Sequence, residues 1–479
     1  MSAPGPLGAT PQGATPQGAF EPGGPFERGG ALHLGARTAL RATAPRATAS
    51  RTRAGLAGLG GLLLAACVIS VSAAHTDLLL PESVRPVPDW LAGPLGGAGV
   101  GLSGGGLILV LVLMLGSYVL AVRAADRLSP RTVLITIATL HALMLLAPPL
   151  LSTDAFSYQA YARMWALLGT NPYLQGPHVL GPDPLSPFIG AKWVATPTAY
   201  GPIFTALSYL LAPLSIAASA FSYKAIAALA SLATVALVSG AARLRGLNPV
   251  KAAALVGLNP LLVVYGVGGG HNDLWMLAAI AAGLYALLAQ RRRTGGALLV
   301  IAAGIKLTAG LLLPFALAAG SGLGARDRRR SVLIGAGAGA AGVCALSLAI
   351  FGTGPMHLLG TLQKVQGEGD WHSIPGLITT RLGLGTLGHL TSIGLAAIFA
   401  GVLAWLLRRV WRGEMDWIDG AGWATVALLI TASSTLPWYV AWLLPLAALG
   451  TDRRLWRTAI VMTCVIQGIQ LLGYLPHRG

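Results

Sequence analysis

The residues best placed to do chemistry lie in LLSTDAFSYQAYARMWALLGTNPY, Leu150 to Tyr173. Asp154 stands where an apolar run ends, in a helix-start context that Ser152 or Thr153 can cap. Asp154, Tyr158 and Tyr161 recur at i, i+4 and i+7 and so share one helical face, with Arg163 and Trp165 on the neighbouring face. A carboxylate at a water–lipid boundary, beside rings that can stack on sugars, suits the base of a glycosyl transfer. The same spacing reads equally as a helix-capping carboxylate that Arg163 neutralises. A second polar spot is GGGHND, Gly268 to Asp273, where the glycines permit close backbone approach. His271 and Asp273 there could bind a phosphate, a sugar hydroxyl or a metal, or could simply start the next helix. One His and one Asp make half a metal site, and nothing nearby has ligand spacing, so no metal and no cofactor is expected. A third spot is Lys306 in GIKLTAG. Burying a lysine at bilayer depth costs roughly 2.5–3.5 kcal/mol on insertion scales. A lipid phosphate would offset that cost, as would snorkelling or an internal carbonyl.

These groups need a scaffold, and composition restricts it sharply. Of 479 residues, 54% are hydrophobic and only 10% charged, against about 25% charged in an average soluble domain. Mean hydropathy is +0.68. Long uncharged runs recur near 55–74, 101–122, 132–151, 221–242, 252–268, 273–290, 331–351, 383–407, 418–436, 438–450 and 457–475. That pattern predicts an all-α polytopic membrane protein of about eleven spans. It excludes a soluble enzyme, a disulfide-framed secreted domain and a nucleic-acid binder, and it disfavours an outer-membrane barrel, whose strands alternate. Cys67, Cys344 and Cys464 all fall inside apolar runs and read as small core residues without disulfides.

The net charge of +17 is informative through its placement. Residues 1–54, rich in Gly, Ala, Pro and Thr, read as a disordered basic tail and leave 55–479 as the transmembrane domain. No cleavable leader is expected, because the first apolar run begins near Ala54. Clusters at Arg123–Arg131, Arg243–Lys251, Arg291–Arg293, Arg326–Arg330, Arg408–Arg412 and Arg453–Arg457, with the tail, hold 25 of the 33 basic residues. Placed in the cytoplasm, they satisfy the positive-inside rule at every turn, with the N-terminus in and the C-terminus out. Residues 295–320 must then enter and return, as short helices or a re-entrant hairpin with Lys306 near the tip. Residues 203–217 lie along the surface or dip partway. The long loops near 152–202 and 352–382 fall outside. The second carries Lys364, Glu368, Asp370, Trp371, His372 and Arg381. No nucleotide-sugar site is visible in the short cytoplasmic turns.

TDAFSYQAYARMWALLGTNPY, TPTAYGPIFTALS from Thr196 and NPLLVVYGVGGGHNDLWM from Asn259, in this order, resemble the polyprenol-phosphate-mannose-dependent α-1,6-mannosyltransferases of actinobacterial lipomannan synthesis. These are membrane glycosyltransferases of GT-C type, and the resemblance covers most of 130–475. It implies Asp154 as catalytic base in the first large extracytoplasmic loop. It also implies a polyprenyl phosphomannose donor, a mannan or glycolipid acceptor, inversion at the sugar, and a plasma-membrane location. Arg163, Lys306 and Arg381 are the candidates for the leaving phosphate. His271 and Asp273 match a second polar site. Tyr158 and Tyr200 join the substrate-binding set, and His372 is an acceptor contact. Asn171, Tyr173, Tyr200 and Gly201 shape the loop, while Trp438 and Tyr439 form either an interfacial belt or a lipid groove. The base is expected to face outer solvent at the rim of a chamber. The alternatives are a transporter or flippase of lipid-linked sugars, a transferase using another polyprenyl-phosphate sugar, and a polymerase or ligase of lipid-linked glycans.

Overall fold

A computed structural model describes residues 33–320, 324–367, 373–382 and 388–474, and among them every regular element is helical. The chain divides into Met1–Ala49 and Ser50–Gly479. The described part of the first unit belongs to a helix that begins at His33, inside the stretch read as a tail; the start of that stretch, 1–32, lies outside the described residues.

The helices that matter here are α1 (His33–Ser72), α2 (Gly104–Ala124), α3 (Pro130–Leu146), α4 (Asp154–Leu168), α5 (Pro202–Ser208), α6 (Ile216–Leu244), α7 (Pro249–Gly257), α8 (Asp273–Leu288), α9 (Arg292–Ile305), α10 (Leu312–Ala318), α11 (Ala325–Phe351), α12 (His389–Trp411), α13 (Trp417–Thr431), α14 (Leu444–Leu449) and α15 (Arg453–Gly473). Their starts follow from local chemistry. Ser129 Oγ accepts the Thr132 N–H at 3.1 Å. Asn248 Oδ1 accepts the Val250 and Lys251 N–H groups at 2.9 and 3.0 Å. A proline follows each cap at the first helical position, where a missing N–H costs nothing.

Among the described residues, six helices are long and apolar enough to cross a membrane alone, or up to seven spans if the bent pair α7 plus Leu261–Val267 counts as one. The four other runs expected to span, near 132–151, 273–290, 418–436 and 438–450, contain shorter helices of 10–17 residues or a broken pair of that length. Their residues are spent on caps and breaks rather than on continuous helix. The outermost helices, α11 and α12, turn Leu333, Leu348, Leu390, Ile393 and Trp405 outward, a surface that requires lipid. Cys67 on α1 and Cys344 on α11 are exposed free thiols and not core residues, and Cys464 is partly enclosed.

Inside, α9 packs closely against both α11 and α8, and α6 packs against α8. Small residues permit this approach: a Cβ on Gly335 would fall on the Arg293 carbonyl, and one on Gly296 on the Val332 carbonyl. Three interruptions of helix distinguish the interior. The first is the 49° bend between α7 and the π-helical Leu261–Val267. Asn259 supports it, its Oδ1 accepting the Leu261 N–H at 3.0 Å and its Nδ2 donating to Thr463 Oγ1 at 2.9 Å. The second is the extended residue Lys306 between α9 and a 3₁₀ turn over Leu307–Leu311. The third is the α5 break, where Tyr209–Leu211 follow as 3₁₀ turn. Residues 295–320 are built from short helices, as one of the two expected forms has it, and residues 203–217 hold the short helix α5 followed by a 3₁₀ turn. Non-helical backbone at this depth must be covered by protein or line a cavity.

Gly335→Val should force α9 and α11 apart and cost about 1–3 kcal/mol, as overpacking does. Gly337→Val, whose new atoms point into open space, is the control. Equal thermal unfolding of the two variants in detergent would show that this glycine does not carry the contact.

Candidate active site

The connection from α3 to α4 brings Asp154 into place. Pro148 and Pro149 end α3 by removing N–H donors. Lys224, fully buried on α6, donates from Nζ to the carbonyls of Ala147 and Pro148, the second at 2.9 Å. The amine thereby engages carbonyls that the end of α3 leaves without helical partners. The Leu150 N–H donates to the Gly268 carbonyl at 3.0 Å and so joins this connection to GGGHND. Gly270, at φ 69°, turns the second segment, and a Cβ on it would press on the Lys224 stem.

The two segments meet at Asp154 and His271. Ser152 Oγ accepts the Asp154 N–H at 3.1 Å, whereas Thr153 makes no side-chain cap. Asp154 Oδ2 lies 3.1 Å from His271 Nδ1 and accepts the Tyr158 hydroxyl at 3.2 Å. The carboxylate was expected at an open rim; instead Asp154 is 8% exposed. Tyr158 is wholly buried, and its oxygen also accepts the Asn272 N–H at 3.3 Å. The fully buried His271 ring stacks on Trp438 with centroids 3.5 Å apart. Asp154 opens α4, which is not one of the long apolar spans. Burial pushes its carboxyl upward, but the hydrogen bond and charge of His271, the charge of Lys306 and the Tyr158 hydroxyl together hold it below the ordinary carboxylate value. It is therefore ionised at neutral pH.

A second pair stands beside the first. Lys306 Nζ lies 2.8 and 2.9 Å from the two oxygens of Asp273, and Trp442 Nε1 donates to Asp273 Oδ1 at 2.7 Å. The ammonium also sits 4.6 Å from the Tyr439 ring centroid and 5.3 Å from that of Trp442. Its position is fixed from behind: the Gly201 N–H donates to the Ile305 carbonyl at 3.0 Å, and only a residue without Cβ can approach Gly304 that closely. Lys306 thus neither snorkels nor rests on a carbonyl; a carboxylate compensates its burial. Asp273, 1% exposed, has both oxygens engaged and is poorly suited to metal ligation.

Asp154, Tyr158, His271, Asp273 and Lys306 are therefore brought together. Arg163 is not part of this centre. Its Nη1 pairs with Asp183 Oδ1 at 2.7 Å, and its Nη2 donates to the Leu214 carbonyl at 3.4 Å, so it does not neutralise Asp154. That helix face turns to the 170s–180s loop, where Asp183 is already oriented by the Leu185 N–H. Tyr200 is a supporting ring, edge-on to Tyr158 with centroids 4.9 Å apart. Tyr173 donates to the Tyr200 carbonyl at 2.9 Å and Asn171 to that of Phe351 at 2.7 Å, which agrees with a loop-shaping role. His372 lies outside the described residues. Arg381 ends a helix, Ile374–Arg381, but its side chain is likewise outside them.

Asn272, Trp442 and Lys224 were not anticipated. The PWYVAW run hinted at Trp442; nothing marked Lys224 apart from a charge inside a span. His271 Nε2, Asn272 Nδ2 and Trp438 Nε1 are buried without a partner among the described residues. Buried polar atoms are normally satisfied, so three unpartnered ones beside these two pairs are groups that could receive a polar ligand.

Removing one member of a buried pair leaves an uncompensated charge and costs about 3–5 kcal/mol. Lys306→Met and Asp273→Asn should each lower thermal stability markedly, and the double variant should lose far less than their sum. Additive losses would show that the pair is not coupled.

Comparison with known proteins relates most of the chain to one family. Residues 52–321 match the family model described as alpha-(1->6)-mannopyranosyltransferase, N-terminal domain, and residues 372–473 match the MptB C-terminal domain. Alpha-(1->6)-mannopyranosyltransferase A of Mycobacterium tuberculosis is 29% identical over 72% of this chain and 70% of its own length. The A enzyme of Corynebacterium glutamicum is 25% identical over 65% and 70%, and the B enzyme of that organism is 28% identical over 64% and 56%. No solved structure matches. With more than half of its length matched by the first of these models, the chain belongs to the alpha-(1->6)-mannopyranosyltransferase family, and it is a membrane glycosyltransferase.

Proposed function

We propose that this enzyme transfers mannose, with inversion, from a polyprenyl phosphomannose donor to a mannan or glycolipid acceptor on the extracytoplasmic side, forming an α-1,6 linkage. The observation that carries the reading is an ionised, largely buried carboxylate, Asp154, beside a buried cation, Lys306, with unpartnered donors between aromatic rings. The acceptor hydroxyl attacks the mannose anomeric carbon as the bond from that carbon to the phosphate oxygen breaks. The acceptor proton passes to Asp154, and polyprenyl phosphate departs with the bonding pair. A phosphate needs no general acid to leave, only charge to receive it, and Lys306 supplies that charge from a position fixed by Asp273. Asn272 and Trp438 offer donors to sugar hydroxyls. The ring of Trp442, 8% exposed, stands 5.3 Å from the Lys306 ammonium.

The basic clusters favour cytoplasmic ends opposite the Asp154 centre, in a plasma membrane, with the N-terminus inside and the C-terminus outside. A GT-C architecture with about eleven crossings follows if each short helix completes its passage with the neighbouring turns. The relatives' names supply the sugar and the linkage, and the resemblance of the motifs adds lipomannan as the product class.

Membranes containing the protein should convert radiolabelled polyprenyl phosphomannose and a short α-mannoside to an α-1,6-linked product. Asp154→Asn should abolish transfer without loss of membrane insertion, and an active, well-inserted Asn variant would reject the assignment of the base. A depressed carboxyl remains ionised until pH falls through its lowered value, so the acid limb of the rate profile should lie low. His271→Gln removes the imidazole that contributes most to lowering the Asp154 carboxyl and should move that limb to higher pH. An unmoved limb would mean that His271 does not set the state of Asp154.

A further inference from the structure

The broken span formed by α7 and Leu261–Val267 carries His271 near one end. At the other end, α1, α7, α14 and α15 border a cavity of about 800 Å³, within the roughly 300–1,000 Å³ typical of small-ligand sites. Arg51, Lys251, Arg453 and Arg457 line it against a single carboxylate, Asp452. That carboxylate is already occupied: Oδ1 accepts the Arg454 N–H at 2.8 Å and Oδ2 accepts Trp423 Nε1 at 3.0 Å. Lys251 reaches Asp126 only at 4.0 Å, and among the described residues no ion pair reaches Arg51, Arg453 or Arg457. The N-terminal ends of α7 and α15 open on the same space and add their own positive potential.

Four cations confined in one concavity repel each other, and an anion bound among them relieves that repulsion. The lining indicates which anion. Ala447, Ala448 and Ala252 make an apolar wall, and Trp456, half-buried, stands beside the arginines. Basic side chains, an amphipathic ring and an apolar wall at the ends of spanning helices fit a lipid headgroup whose acyl chains continue along the outside of the bundle.

We propose that this cavity binds the phosphate of an anionic phospholipid, at a site separate from the Asp154 centre. The test uses the full chain in nonionic detergent and a fluorescent short-chain phosphatidylglycerol, with phosphatidylcholine of the same chain length as comparison. The wild type should prefer phosphatidylglycerol, and R453Q/R457Q should weaken its binding at least tenfold while transfer activity in detergent is unchanged. R408Q/R409Q, which removes as much charge outside the cavity, should retain the affinity. If R453Q/R457Q does not fold, R51Q/K251Q provides the same measurement. Wild-type affinity in both cavity variants, an equal loss in R408Q/R409Q, or no preference over phosphatidylcholine would overturn the proposal. Complete displacement by inorganic phosphate at equal concentration would reassign the site to a free anion. Tight binding of polyglutamate without lipid binding would reassign it to an acidic protein partner; each result would overturn the lipid assignment.

Discussion

The architecture depends on burying four ionisable groups at one junction of broken helices. Asp154 with His271 and Asp273 with Lys306 are nearly removed from water, and a single charge taken to that depth would cost more than any one packing contact returns. Each pair is tolerable only with its partner in contact and its remaining lone pairs engaged, by Tyr158 in one case and Trp442 in the other. This requirement accounts for the irregular backbone. Lys306 reaches Asp273 because α9 stops at Ile305, and His271 reaches Asp154 because the segment after Val267 leaves the helix and turns at Gly270.

Much of this was legible in the sequence, for physical reasons that can be named. Hydropathy locates apolar runs because lipid tolerates little else, and the runs near 55–74, 101–122, 221–242, 331–351, 383–407 and 457–475 all correspond to long helices. It cannot report where a run is interrupted, so 273–290 and 418–436 read as spans although their helices have 16 and 15 residues. The charged residues Asp154, His271, Asp273 and Lys306 were visible because an ionisable group in an apolar setting requires a reason. Their pairing was not visible, since it is decided by contacts 33 and 117 residues apart in the chain. Arg163 shows the converse: helical spacing placed it near Asp154, but a carboxylate 20 residues away took it instead.

Lys224 is the clearest case of a residue that reasoning from pattern overlooks. Among the described residues no carboxylate pairs with it, and it is held by two carbonyls at the end of α3 and by the Phe221 ring at 5.3 Å. Its role is to steady the peptide that delivers Asp154, and that role exists only once α3 and α6 are side by side. The anchoring of Ile305 by Gly201 is similar, because the TAYGP sequence announces a turn but not the strand of backbone it supports.

The hydrogen bond from Trp442 to Asp273 crosses 169 positions of sequence, and the stacking of Trp438 on His271 is nearly as remote. Neither the first two thirds of the chain nor its last third therefore holds all of this polar centre. Exchange of terminal portions among relatives is constrained at this seam: a hybrid inherits a working centre only if the incoming tryptophans find the same carboxylate and imidazole.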